Sequence, residues 1–432
     1  MSRDGRPALE SPGAEGYPKV MQLGAVLVYD AGPMSLRHGG IDVERVRAWL
    51  AKRLPELPRA RERRVRLALG SLEGFVPDAG FQLDYHVRHT CLPRPGDERA
   101  LKRLTGRIFS QALDPERPLW ELWLVEGLED GRFALVAKCD SALLEPEARA
   151  AGGWLHAGEA RARRALAALL PRALAARAGG GLRGALDLAE DALFRAGALS
   201  AGNEGPHRRI DWLALAADDV AAIRERLGGS ERDVVLAALT GGLRRTLERR
   251  AAAADLGAMR AVTPFCVGDR SFAPRLRLPL DAHDARARLV ALRAQSEGFA
   301  PRGGATHESP LHELWALWQA GSTRRAELLA LELQGLSAAA FLGAKLQAFV
   351  PVAPALAGRA LGVTTSRLGK RLFVTLDSDA ARLPDLAPLA DAVAASFDEL
   401  RRLAAEPPAQ APRARRARAP RRRATKSLEA EA

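Results

Sequence analysis

The 432-residue sequence predicts an α/β protein of two lobes with mixed sheets and flanking helices. Three observations carry this. Strand-like and helix-like periods alternate in both halves of the chain. Strands leave through hairpins, which a purely parallel sheet does not contain. The length also exceeds one ordinary domain, so two lobes of roughly 200 residues can each bury a core.

Met21 to Asp30 alternates as a strand, and Asp42 opens a helix with Val43, Val46, Leu50 and Leu54 on one face. Strands are expected near Arg64 to Leu69 and Phe81 to His89. Asp97 caps a helix along which Leu101, Leu104, Ile108 and Ala112 align. "LWELWLVEGLEDGRFALVAK" reads as a hairpin of Leu119 to Glu126 and Arg132 to Lys138 about the Asp130-Gly131 turn. Arg161 to Leu199 is rich in Ala, Arg and Leu and is interrupted by Pro171 and by Gly179 to Gly181. It reads as broken amphipathic helices connecting the halves; a crossover lying on the protein is favoured over a membrane-surface helix.

The second half repeats the alternation. Helices are expected at Asp218 to Leu227, Ser230 to Arg250, Asp284 to Glu297, around Leu311 to Leu333, and at Pro384 to Ala405. Strands are expected at Met259 to Val267, Ala344 to Pro351, Ala360 to Leu368 and Arg371 to Asp377. The organisation that follows is an N-terminal lobe (1–160), a helical crossover (161–204), a C-terminal lobe (205–405) and a disordered basic tail (406–432).

Composition excludes several classes. With 47% hydrophobic residues the chain is globular, and no run of 18 apolar residues could span a membrane. Three widely separated cysteines fit a reducing compartment better than a disulfide framework, and the N-terminus has no apolar core resembling a signal peptide. A cytoplasmic protein, peripheral to a membrane or lipid droplet at most, is expected. From Pro407 to Ala432 there are eight Lys/Arg against two Glu, so the tail carries six of the net thirteen positive charges. Its Pro- and Ala-rich sequence cannot bury enough surface to order itself. Two readings stand for it: an arm for anionic lipid headgroups or non-specific nucleic acid, or a solvated tail without a partner. It holds no interleaved aromatics, so specific nucleic-acid recognition is not expected.

Several stretches together resemble the bacterial wax ester synthase/diacylglycerol acyltransferase family, which belongs with the CoA-dependent acyltransferases that include chloramphenicol acetyltransferase and the condensation domains. They are Phe81 to Leu128 with its Pro118-Leu119-Trp120 signature, "GPHRRIDWLAL" (Gly205 to Leu215), "DVVLAALTGGLRRTLERR" (Asp233 to Arg250) and Gly362 to Ala392, in collinear order from about Lys19 to Leu403. The resemblance implies a two-lobed chloramphenicol-acetyltransferase-like fold with a tunnel between lobes, acyl-CoA entering one side and an alcohol or diacylglycerol the other. It implies a reaction centre at an HHxxxDG motif ending a strand. There the second histidine takes the alcohol's proton, assistance worth about 10²- to 10⁴-fold, and imidazole suits that task near neutral pH.

Laid on this sequence, the two histidines fall on Asp140 and Ser141, the Asp on Glu145 and the Gly on Pro146. Ser141 is no base unaided, and Asp140, a carboxylate with a reference pKa of about 3.9, is a weak one unless burial raises it strongly. Glu145 keeps a carboxylate on a longer stem, while Pro146 fixes φ where glycine allowed freedom. The family's Asn-Asp pair becomes Arg232-Asp233, and its Ser-Asn-Val-Pro-Gly loop has no counterpart in Leu329 to Gly343. Pro118, Leu119, Trp120, Arg232 and Asp233 are the residues that the resemblance places along the tunnel. Trp120 equally suits plain hairpin packing, and Arg208 and Arg209 suit CoA phosphates or scaffold ion pairs.

No other base presents itself. His86 and His89, three apart on an expected strand, face opposite ways and make a poor metal pair. Nothing fixes the direction of His156, and Cys139 points away from Asp140 if the strand continues through both. The expectation is a catalytically degenerate member that binds acyl-CoA or acyl lipid, or pairs with an active paralogue. It needs no cofactor or metal beyond acyl-CoA as substrate or ligand. The alternative is a working diacylglycerol or long-chain-alcohol O-acyltransferase using Asp140 as a recruited base, or positioning alone.

Overall fold

The computed structural model describes residues 22–57, 59–66, 73–140, 143, 205–249, 259–263, 265–267, 270–272, 274–297, 328–333, 340–354 and 360–406. The first half supplies β1 (Gln22–Asp30), α1 (Val43–Arg53), β2 (Glu62–Arg66), β3 (Glu73–Pro77), the short α2 (Leu83–His86), β4 (Val87–Cys91), α3 (Glu98–Ser110), β5 (Trp120–Leu128) and β6 (Arg132–Asp140). The second supplies β7 (Arg208–Ala216), α4 (Ala217–Leu227), α5 (Glu231–Arg249), β8 (Arg260–Val262), β9 (Phe265–Val267), β10 (Arg270–Phe272), β11 (Arg275–Arg277) and α6 (Ala285–Glu297). Then follow β12 (Leu328–Leu333), β13 (Ala340–Phe341), β14 (Ala344–Val352), β15 (Leu361–Leu368), β16 (Arg371–Asp379) and α7 (Ala387–Ala405).

Two six-stranded sheets form the frame, in the orders β13-β14-β1-β6-β5-β4 and β11-β8-β12-β15-β16-β7. Both are mixed: β4 runs parallel to β5, and β12 parallel to β8 and β15, among antiparallel neighbours. The first sheet is completed by β13 and β14 from beyond residue 339, so the second half of the chain crosses into the first lobe. β1 therefore lies between β14 and β6, buried on both faces, which is why Ala25 to Tyr29 is almost continuously apolar.

α3 lies between the sheets. Asp97 accepts a hydrogen bond from the Ala100 amide at 2.7 Å, the cap the sequence predicts. Leu101, Leu104, Ile108 and Phe109 meet Val26, Val28 and Val136 of the first sheet together with Ile210, Trp212 and Phe373 of the second. Over the other face of the second sheet pack α4 to α7, where Leu239, Leu243, Val393 and Phe397 share the larger core. The β5–β6 turn places Asp130 and Gly131 at φ 59° and 62°, as an Asp-Gly turn requires.

Four expectations change. Leu328–Leu333 is a strand, not the end of a helix: a short Leu/Ala run buried between β8 and β15 has no period that separates the two. The expected strand Phe81 to His89 breaks into the α2 turn followed by β4. Met259 to Val267 divides into β8 and β9, where Pro264 has no N–H for a ladder. β7, absent from the sequence reading, forms an edge of the second sheet. The crossover and nearly all of the basic tail lie outside the described residues, as does the helix expected over 311–327. Among the described residues no helix is long and apolar enough to cross a membrane.

Candidate functional site

The end of β6 is where the sequence places the chemistry. Asp140 is its last residue, paired in register with Gln22 of β1, and its N–H donates to the Leu119 carbonyl at 2.9 Å. Strand alternation sends Val136 into the layer between the sheets and Phe133, Leu135 and Cys139 into the first lobe's own core. Asp140 and Lys138 share the parity of Val136, and both are buried. Cys139 thus points away from Asp140, as expected. Ser141, Glu145 and Pro146 lie outside the described residues, as does His156; Leu143 is described and buried in the first lobe's core.

Lys138, which sequence reasoning missed, is fully buried. Its Nζ donates to the carbonyls of Ile108 at 2.9 Å and Gln111 at 2.7 Å, at the C-terminal end of α3, and lies 3.7 Å from Glu121 Oε2. Burial pushes its ammonium down to about 8, with Glu121 pulling the other way. A cation here also meets the negative end of the α3 dipole. Glu121 is shared further: it accepts from Trp123 Nε1 at 2.9 Å and pairs with Arg88 at 3.2 Å. Lys138 thus makes two hydrogen bonds to the end of α3 and a longer ion pair with Glu121. The available signal was a lone lysine inside the apolar run "FALVAKC".

The Pro118-Leu119-Trp120 signature touches this place through its backbone. Leu119 supplies the carbonyl that Asp140 uses. The Trp120 indole belongs to the first lobe's core, where Nε1 donates to the Ala60 carbonyl at 2.8 Å and the ring stacks on His86 at 4.5 Å. His86 Nδ1 in turn lies 2.8 Å from the Trp120 carbonyl, and burial pushes the imidazole below its ordinary range. His89 is part-exposed and faces Glu126 at 3.3 Å, so the two histidines serve different neighbours. Among the described residues no group of three His, Cys, Asp or Glu is placed to hold a metal ion.

Arg232 and Asp233 sit at the start of α5. Asp233 Oδ2 accepts from both the N–H and the Oγ of Ser230 at 2.8 Å, the Asp233 N–H returns to Ser230 Oγ at 3.2 Å, and Oδ1 accepts from Ser296 Oγ of α6 at 2.5 Å. That is a capping box tied to a second helix. Arg232 pairs with Glu332 of β12 at 3.5 Å.

Arg208 joins the lobes. Its N–H donates to Ser110 Oγ, at the end of α3, at 2.8 Å. Its guanidinium binds Asp377 of β16, the Ala353 carbonyl at 2.8 Å and the Gln22 carbonyl at 3.5 Å. These are scaffold partners, whereas exposed Arg209 donates to the Pro384 carbonyl. Burial pushes the Asp377 carboxyl up, and Arg208 opposes the shift. The arrangement can orient a group at the end of β6 between two lobes.

Residues 13–151 match the family model for the wax ester synthase/diacylglycerol acyltransferase catalytic domain, and residues 336–401 the one for the WS/DGAT C-terminal domain. A probable diacylglycerol O-acyltransferase of Mycobacterium tuberculosis, tgs3, is 37% identical over 123 residues, covering 28% of this chain and 45% of that relative, so the match spans under half of the relative's length. A second mycobacterial protein named as a diacylglycerol O-acyltransferase is 27% identical over 399 residues, covering 86% of this chain and 84% of its own. Among solved structures, the wax ester synthase/diacylglycerol acyltransferase from Marinobacter aquaeolei VT8 superposes with a TM-score of 0.64 at 21% identity, over 89% of this chain and 95% of that one. The first condensation domain of the CDA synthetase follows at 0.57 and 16%, over 90% and 92%. At these identities the two structures establish the fold.

Proposed function

The chain belongs to the wax ester synthase/diacylglycerol acyltransferase family, and on that premise we propose that it binds acyl-CoA or an acyl lipid beside the end of β6 without the imidazole chemistry that the family's HHxxxDG motif implies. The observation that carries the reading is the sequence Asp140-Ser141-Ala142-Leu143-Leu144-Glu145-Pro146 at that strand end, inside the stretch that matches the catalytic-domain model. Neither a hydroxyl nor a carboxylate is matched to taking a proton from an alcohol near neutral pH as imidazole is. Lys138, the nearest amine along β6, is turned towards the Ile108 and Gln111 carbonyls and Glu121.

The scaffold that presents a ligand is retained in this reading: the Leu119 carbonyl supports the end of β6, Trp120 packs behind it in the first lobe's core, and Asp233 caps α5 beside Arg232. The protein then acts as an acyl carrier or as the partner of an active paralogue, with the basic tail available to an anionic membrane or lipid-droplet surface. The rival reading is a working O-acyltransferase, which the names of its relatives favour; Asp140, buried where the motif begins, would be its recruited base.

Two assays on the purified protein test this. Palmitoyl-CoA is expected to bind saturably in a calorimetric titration. Radiolabelled transfer from palmitoyl-CoA to diacylglycerol or hexadecanol is expected to yield no ester above a heat-killed control. Ester above the control replaces the proposal with the enzyme reading, and no binding at high micromolar ligand removes the carrier.

A further inference from the structure

A closed circuit of contacts runs through both lobes and begins and ends on β6. Lys138 grips the Ile108 and Gln111 carbonyls of α3. Between those two residues Ser110 accepts the Arg208 N–H of β7. Arg208 reaches back to the Gln22 carbonyl on β1, and Gln22 stands opposite Asp140 in the β1–β6 register. Two residues of one strand are thus linked by way of the other lobe.

A second observation shows that the α3–β7 distance in this circuit is tightly set. Gly106 of α3 lies so close to β7 that a Cβ there would stand 3.1 Å from the Arg208 carbonyl oxygen. Burying an ammonium is costly, and a methionine would fill the same volume without that penalty. What the ammonium adds is a fixed place for three acceptors on α3 and β5.

We propose that Lys138 is a positioning residue: by clamping the C-terminal end of α3 to β6, it sets, through Ser110 and Arg208, where the second lobe stands relative to Asp140. Its functional consequence rests on the reading that a ligand lies beside the end of β6. The clamp makes no contact with that ligand; it fixes the separation of the two walls that hold it.

Amide hydrogen exchange and palmitoyl-CoA affinity, measured on the full chain and on Lys138→Met, Ser110→Ala and the double variant, test the clamp. Lys138→Met is expected to lower protection of the Arg208 amide about tenfold, the equivalent of one net hydrogen bond, with α7 amides unchanged. Palmitoyl-CoA affinity is expected to fall by a similar factor, and the double variant to be no worse than either single one, because both cut the same circuit. Parent-level protection at Arg208 in a folded Lys138→Met overturns the proposal. So does a loss that appears equally in α7, which would mark general destabilisation. If Lys138→Met does not fold, Ser110→Ala decides, and an affinity equal to the parent's overturns the clamp. A parent that binds no palmitoyl-CoA ends the ligand reading, while the exchange comparison still judges Lys138.

Discussion

Arg208 of β7 and Asp377 of β16 form a buried ion pair on the face of the second sheet that meets the first lobe, with Nε 3.1 Å from Oδ1. The same guanidinium holds the carbonyl of Ala353, just beyond β14, and that of Gln22 on β1. Removing the carboxylate alone leaves a buried cation with only carbonyl partners. Asp377→Asn is expected to cost about 3–5 kcal/mol in urea unfolding, whereas replacing both partners by apolar residues (Arg208→Met with Asp377→Leu) recovers much of that loss. A single variant within about 1 kcal/mol of the parent would show that the pair is not desolvated as described.

Lys138 gives a pH signature with a definite sign. Its folded-state pKa is depressed to about 8 from 10.5 by burial, so on raising the pH the folded protein releases this proton before the unfolded chain does. Between those values the unfolded state binds more protons, and the group's contribution to stability rises with pH, by up to about 1.4 kcal/mol per pH unit. Below pH 8 the burial penalty is present in full. The unfolding free energy of the parent minus that of Lys138→Met should therefore grow from pH 7.5 to 10, and a constant difference would contradict the depressed value.

Gly242 lies where α5 packs against α7. A Cβ there would stand 2.8 Å from the Val393 amide nitrogen and 2.6 Å from Val393 Cγ2. Glycine to alanine in a helix interior ordinarily gains about 1 kcal/mol. Here the clash is with a neighbouring backbone that cannot rotate away, so Gly242→Ala is expected to lose about 1–3 kcal/mol instead. A raised midpoint in thermal unfolding would show that the two helices can separate without cost.

Most of the frame was legible because its signals are local. Asp97 before the Leu101, Leu104, Ile108 stripe announced α3, and Asp130-Gly131 announced the β5–β6 hairpin. What stayed hidden depends on partners distant in sequence. Nothing in Ala344 to Val352 says that it will pair with β1, more than 300 residues earlier, rather than with β15. Leu328 to Leu331 lacked a period because both its faces are covered. At the site, Asp140 stood out through its place in a motif, but Lys138 did not, because a lysine in a strand ordinarily marks a wet face and only the tertiary fold brings the end of α3 over it. Asp233, assigned to the ligand path, makes a helix cap, a role that Ser230 three residues before it already signalled.

The end of β6 carries Asp140 and Ser141 where the family motif has two histidines. If the scaffold about Asp140 is intact and only the proton acceptor is missing, then Asp140→His with Ser141→His supplies an imidazole at the position that the motif assigns to the base. Because β6 and its backbone bond to Leu119 do not depend on the identity of the Asp140 side chain, the double variant should keep the strand in place. Palmitoyl transfer to diacylglycerol or hexadecanol is then expected to rise by about 10²-fold or more over the parent, the lower end of general-base assistance. Product from both proteins at equal rates would mean that the parent already has its base, and Asp140→Ala would then be the variant to assay. Silence from both, with palmitoyl-CoA still bound, would place the deficit in Glu145, Pro146 or the acceptor's path, and would favour a carrier or partner role over an enzyme two substitutions away.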